Sequence, residues 1–264
     1  MDIRFKLIRS RDNPQVKALM KLAGSSRERR RTGTTIIEGD HLVLAYGQTG
    51  QTAETIFVSE SAYARPEVRT LVETTPAHVR LLLADSLVGQ ISQLVSAAGV
   101  GAVVRTPRPA PLPREAATCL LLENIQDPGN LGSILRSAAA AGVPNVLLSR
   151  GSVFAWSPKV VRAGMGAHFA LSISEEAELG AFAGTFAGRV VAMEPRADRS
   201  LYDLDLSGPI AWLFGNEGGG ITDELRRAAT DSACIPMPGP AESLNVAAAA
   251  AICLFEQVRQ QCGA

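Results

Sequence analysis

Long apolar runs are missing from this 264-residue chain. The longest, Val246 to Phe255, spans ten residues, whereas a bilayer needs about 20. The opening stretch MDIRFKLIRSRDN lacks the apolar centre of a signal peptide. Cysteine is sparse. Cys119, Cys234, Cys253 and Cys262 form no CxxC pair, which excludes thioredoxin-type chemistry and thiolate zinc by spacing. At this length and density a disulfide framework is not expected either. Cys119, Cys234 and Cys253 sit in apolar runs and read as small buried hydrophobes. Three scattered histidines, His41, His78 and His168, make neither a metal cluster nor a Ser-His-Asp set. They read as structural or surface residues. A soluble, cytoplasmic protein with no membrane or metal partner is the expectation.

Net charge is also absent: 26 basic residues balance 26 acidic ones. The balance hides an asymmetry. Residues 1–31 carry ten basic and three acidic residues, a net +7, and the remainder carries 16 and 23, a net −7. Such a split points to a basic arm with an anionic partner, or to a solvated basic helix face. Arg9, Arg11, Lys17, Arg27, Arg29, Arg30 and Arg31 are the phosphate-contact candidates in that arm.

What is present is an α/β pattern in two parts. Four prolines in Thr106–Pro113 favour a semi-rigid extended spacer. They divide the chain into 1–105, a linker at 106–113, and 114–264. In the first part, a helical pattern after Asn13-Pro14 is followed by strand signals at 34–38, 55–59, 79–83 and 100–105. Helix signals fall at 41–46 and 86–94, so this part reads as a small α/β/α domain. The second part has short apolar strand candidates at 118–122, 146–149, 169–173, 190–193, 210–214 and 233–236. Helix candidates lie at 130–141, 158–163, 175–186, 222–229 and 243–261. Apolar strands alternating with helices imply a mostly parallel sheet covered on both faces. Ligands of such sheets sit at the carboxyl ends of strands.

Three loops following strands carry the chemistry. In Glu123 to Arg136, Asp127-Pro128-Gly129 is a turn and Asn130 a helix cap. Leu131, Ile134, Leu135 and Ala138 form the buried stripe, with Arg136 off it. A capped surface helix with an incidental arginine fits the same spacing. In Trp212 to Thr222, four glycines follow an apolar strand. The run matches neither GxGxxG nor a phosphate-binding GK[ST] loop, and Glu217 would repel a phosphate. A flexible connector remains the alternative. In Cys234 to Val246, three prolines stiffen a loop in which Ser243 caps the last helix and Asn245 sits among apolar residues.

NLGSILRSA at 130–138, LFGNEGGGI at 213–221 and IPMPGPAESLNVAAAAAI at 235–252 resemble the three motifs of the SpoU/TrmH family. That family belongs to the SPOUT class of RNA 2′-O-ribose methyltransferases. The match covers the second part. Ile8-Arg-Ser-Arg-Asp-Asn-Pro14 and Ile37-Glu-Gly-Asp-His-Leu42 are similar to the family's N-terminal RNA-binding extension. The resemblance implies a C-terminal parallel-sheet domain with a deep trefoil knot, an exception to the usual rule against knots. It implies a homodimer and S-adenosylmethionine held by Met193, Gly215, Asn216, Ile235, Met237 and Leu244. By motif position the catalytic residues are Asn130, Arg136, Glu217, Ser243 and Asn245. The family's suggested base is the counterpart of Arg136. Because arginine stays protonated, alignment of the ribose hydroxyl and its phosphate is the preferred role here. One departure stands out: Ala163-Gly164-Met165 occupies the place where the family often carries a serine.

The expected activity is S-adenosylmethionine-dependent methylation of a ribose 2′-hydroxyl in ribosomal RNA, in the 23S species. The alternatives are transfer RNA as substrate, an RNA-binding assembly factor without catalysis, and a small-molecule nucleotide enzyme that uses the glycine loop.

Overall fold

The computed structural model describes residues 5–92, 98–108, 117–216 and 218–262. Glu217 and positions 109–113 of the proline-rich stretch therefore lie outside the described residues. In chain order the first elements are β1 (Lys6–Ile8), α1 (Pro14–Gly24), α2 (Ser26–Thr32), β2 (Thr34–Glu38), α3 (Asp40–Gln48) and β3 (Ala53–Ser59). Then come α4 (Glu60–Tyr63), α5 (Pro66–Thr74), β4 (Ala77–Leu83), α6 (Asp85–Ile91) and β5 (Val100–Arg105). The later part holds β6 (Cys119–Leu122), α7 (Pro128–Ala140), β7 (Asn145–Leu148), α8 (Pro158–Ala163) and β8 (Ser172–Ser174). It ends with α9 (Leu179–Ala183), β9 (Arg189–Met193), β10 (Ile210–Phe214), α10 (Asp223–Ala228), β11 (Asp231–Ala233) and α11 (Val246–Cys262). No helix among the described residues is long and apolar enough to cross a membrane.

One compact unit comprises Met1–Pro107 and Trp156–Phe169. Its five-stranded sheet has the order β1-β4-β3-β5-β2. β1, β4 and β3 run parallel, and β5 is antiparallel to both β3 and β2. Asn13 caps α1 through the Gln15 amide, with Pro14 in the first turn, where a missing N–H costs nothing. Val16, Leu19 and Leu22 of α1 then pack in one buried cluster with Leu83, Leu87 and Ile91. Each such side chain contributes roughly 1.5–3 kcal/mol by leaving water.

The arginine-rich stretch is helical, starting at the Ser25 cap and stopping at Gly33, whose φ is 63°. This corrects one expectation of the basic arm. Arg29 is not a free phosphate contact, because it is only 6% exposed. Its Nη1 donates to the carbonyls of Leu22 and Ala23 at 2.7 and 2.8 Å. Those carbonyls belong to the last turn of α1, which has no helical partners for them. Arg29→Ala should therefore cost about 2 kcal/mol in chemical denaturation, while Arg27→Ala, on the exposed face, stays within about 0.5 kcal/mol.

The unit also includes a segment that the sequence places in the second part. Buried Thr35 on β2 donates its hydroxyl to the Trp156 carbonyl at 2.6 Å, and α8 follows directly. The Trp156 ring meets fully buried His168 edge-on, with centroids 5.1 Å apart. A Cβ at Gly164 would lie 2.8 Å from both Cε1 and Nδ1 of His168. The imidazole thus fills the place a serine would need, and Gly164 and His168 form a matched pair.

The second unit comprises Arg108–Ala155 and Ala170–Ala264. Its six-stranded sheet, β11-β9-β10-β6-β7-β8, is parallel at every pairing, as the alternation of apolar strands and helices predicts. α11 is anchored to the sheet by a buried polar relay. Trp212 Nε1 donates to Gln257 Oε1 at 2.8 Å, and Gln257 Nε2 donates to Thr118 Oγ1 and the Gly208 carbonyl. Three elements are shorter or shifted. The expected strand at 169–173 begins as a 3-10 turn, Ala167–Ala170. The helix expected at 175–186 is reduced to α9, because the Glu175 carboxylate accepts from the Ala155 amide and Glu176 adopts φ 55°. β11 ends at Ala233, before Pro236, which leaves Ile235 and Met237 in a loop. Cys119 and Cys253 are buried, and burial pushes the Cys119 thiol up to about 12. Cys234 is only half-buried, a correction to its reading as core.

Candidate active site

Loops leaving the carboxyl ends of β9, β10 and β11 enclose a cavity of about 690 Å³ within the second unit. Small-molecule sites have this size and this place in parallel sheets. Met193, Gly215, Asn216, Ile235, Met237 and Leu244 all line it, as does Ser243.

The described residues of the glycine loop are held by their own hydrogen bonds. The Asn216 carbonyl accepts from the Gly220 amide at 2.7 Å, and Gly220 has φ +65°. Asn216 Oδ1 accepts from the amides of Gly218 and Gly219, and its Nδ2 donates to the Asn124 carbonyl at 2.9 Å. The side chain is thus committed to shaping the loop. Gly215 packs so closely on the return strand that an added Cβ would overlap the Gly220 carbonyl. The far end of the loop is held by Glu123, whose Oε2 accepts from the Thr222 amide at 2.8 Å. Glu123 and Asn124 directly follow β6, and Asn124 tolerates its φ of 53° as a short polar residue can. Their placement at a strand end was the only available signal for them.

Arg226 is a second residue that sequence reasoning missed. It lines the cavity and donates from Nε to Glu194 Oε1 at 2.7 Å and from Nη2 to the Ile221 carbonyl. It thereby ties the β9 loop to the β10 loop. Glu194 raises the guanidinium's pKa above its ordinary value.

The first motif is built on α7. Asp127, not Asn130, is the cap: its side chain accepts from the Asn130 amide at 2.8 Å, and Pro128 occupies the first turn. Leu131, Ile134, Leu135 and Ala138 are buried, and Arg136 is exposed. The last helix likewise begins later than Ser243. Asn245 is exposed and caps it, with Oδ1 accepting from the amides of Ala247 and Ala248 at 3.0 and 3.3 Å. Its Nδ2 donates to Asn130 Oδ1 at 2.9 Å. One side-chain bond therefore joins the first motif to the third across 115 residues. Ser243 is not the cap and lines the cavity instead.

The model of the SpoU rRNA Methylase family matches residues 117–255, more than half of the chain and the whole stretch from β6 into α11. The chain belongs to the SpoU rRNA methylase family. The MRM3-like substrate binding domain matches residues 13–102. An uncharacterised tRNA/rRNA methyltransferase of Synechocystis is 32% identical, covering 96% of this chain and 94% of that protein. The 23S rRNA guanosine 2′-O-methyltransferase RlmP of Bacillus subtilis is 29% identical, covering 95% and 98%. The crystal structure of the AdoMet-bound rRNA methyltransferase of Sinorhizobium meliloti superposes with a TM-score of 0.84, at 30% identity and 97% and 98% coverage. The family reading of the three motifs thus stands. In this SpoU member, residues of the second and third motifs line one cavity, while the first motif, Arg136 included, is not among its lining residues and is tied to the third by the Asn245–Asn130 hydrogen bond.

From residue 13 onward the basic arm falls within the MRM3-like match, and Arg9 and Arg11 precede it. Arg9 pairs with Glu60 at 2.8 Å, Lys17 with Asp12 at 2.9 Å, and Arg31 and Lys21 with Glu28 at 2.6 and 3.0 Å. The two cations pull the Glu28 carboxyl down to about 2. All four cations are mostly exposed, so the pairs are weak and exchangeable with phosphates. Arg11, Arg27 and Arg30 are also exposed.

Proposed function

We propose that this chain methylates a ribose 2′-hydroxyl of ribosomal RNA, in the 23S species, with S-adenosylmethionine as donor. The observation that carries the reading is the cavity itself, walled by a closed glycine loop and proline-stiffened apolar residues. The residues fit such a donor. Gly215 gives backbone clearance, and Met193, Ile235, Met237 and Leu244 offer apolar contact to an adenosine. When bound, S-adenosylmethionine supplies an electrophilic methyl group on its sulfonium.

The chain's residues do the rest. Arg136 aligns the ribose and its phosphate through its planar guanidinium and stabilises charge developing on the 2′-oxygen. The Asn130–Asn245 pair and Ser243 orient the reacting group, and orientation alone is worth several kcal/mol. For Glu217, outside the described residues, the family resemblance implies a role in holding Arg136 or a loop amide in place. The exposed cations of the arm bind phosphates and bring the RNA in. The family fold implies a trefoil knot in the C-terminal domain, a homodimeric enzyme and a cytoplasmic place of work beside the ribosome.

The arm supplies a direct test. Ribosomal RNA affinity should fall steeply with salt. Neutralising Arg11, Arg27 and Arg30 together should lower that slope by about one unit per cation lost, with donor affinity unchanged. An unaltered slope would make the arm a solvated face only.

A further inference from the structure

We infer that Arg196 and Glu242 read the two charges of the donor's amino-acid tail: Arg196 the carboxylate, Glu242 the ammonium. The inference rests on the donor reading above. It starts from the charge inventory of the cavity. Four described ionisable side chains line it: Glu194, Arg196, Arg226 and Glu242. Glu194 and Arg226 are bonded to each other, and Arg226 also bonds Asp223. That pair closes on itself and braces two loops.

Arg196 and Glu242 are different. Both are exposed at the cavity rim, and neither has an ion-pair or hydrogen-bond partner among the described residues. They also come from separate loops. Arg196 follows β9, and Glu242 precedes α11 by a few residues. The rest of the described wall is glycine, proline, apolar side chains, Asn216 and Ser243. A purely apolar ligand would leave both charges idle. An adenosine carrying a zwitterionic tail needs one cation and one anion at the end away from the base. Guanidinium and carboxylate form charge-assisted bonds to those groups. Opposite signs also set the direction of the tail, since the reverse pairing would place like charges together.

Calorimetric titration with three nucleosides separates the assignments. S-adenosylhomocysteine has both tail charges, decarboxylated S-adenosylmethionine keeps only the ammonium, and 5′-methylthioadenosine has neither. Arg196→Gln should weaken S-adenosylhomocysteine about five- to tenfold and leave the other two unchanged. Arg196→Lys should restore most of the loss. Glu242→Gln should weaken the two ligands that carry the ammonium and spare methylthioadenosine. Equal weakening of all three by either variant would mean a change in the cavity wall, and would overturn the assignment. So would unchanged S-adenosylhomocysteine affinity, including the case in which Arg196→Gln weakens RNA binding instead. If the unaltered protein binds none of the three, the donor reading itself falls, and this inference with it.

Discussion

Gly215→Ala is expected to abolish measurable donor binding. An ordinary overpacking substitution costs about 1–3 kcal/mol, because neighbouring side chains can shift. Here the obstacle is backbone: the added methyl group would overlap the Gly220 carbonyl and meet the Ile221 nitrogen. Relief requires opening the Asn216–Gly220 turn, which is closed by a 2.7 Å bond and by the two amides on Asn216 Oδ1. That turn is one wall of the cavity. Affinity for S-adenosylhomocysteine should fall at least about 100-fold, or about 2.7 kcal/mol. A variant that binds within about threefold of the parent would show that the glycine loop is not the donor wall. Gly208→Ala is the control, since a Cβ there meets nothing within 4 Å and Gly208 is not among the residues that line the cavity.

The second large effect is kinetic. Arg136→Ala should lower kcat by about 10²–10³, as removal of a preorganised charge-stabilising donor does. Donor affinity and thermal stability should remain as they were. Arg136 is exposed on α7, and alanine is the best helix former. Arg136→Lys should recover little, because an ammonium cannot present the planar fork that holds a phosphate and an oxyanion together. If Arg136→Ala methylates at the parent's rate, charge stabilisation resides elsewhere. Glu123→Gln would produce the opposite pattern. It loosens the Thr222 end of the loop and should raise the donor's KM more than it lowers kcat.

Much of this architecture was legible because period and burial agree. The strands at 34–38, 100–105 and 210–214 and the helix at 158–163 stand where the pattern puts them. The α7 stripe is buried residue for residue. The cavity-lining positions were legible through motif resemblance, since glycine and proline spacing encodes loop shape directly. Competing caps were not. Asp127 and Asn130, or Ser243 and Asn245, are equally good capping types two or three residues apart. Tertiary contacts decide between them: Asn245 must also reach Asn130. Arg29 was misread for a related reason. Composition counts every arginine as surface charge, whereas two orphan carbonyls of α1 bury this one. Arg226 had no local signature, because its role is a bridge between loops 32 residues apart.

The central claim is methyl transfer to a ribose oxygen, and the alkali stability of the product tests it most directly. Ribosomal RNA from cells lacking this protein would be incubated with the purified chain and methyl-labelled S-adenosylmethionine, then hydrolysed in base. A free 2′-hydroxyl is the nucleophile of that hydrolysis, so its methylation protects the adjacent phosphodiester. The account predicts label in alkali-resistant dinucleotides at a single site. Label in mononucleotides, which marks a methylated base, would contradict it, as would donor binding without any transfer.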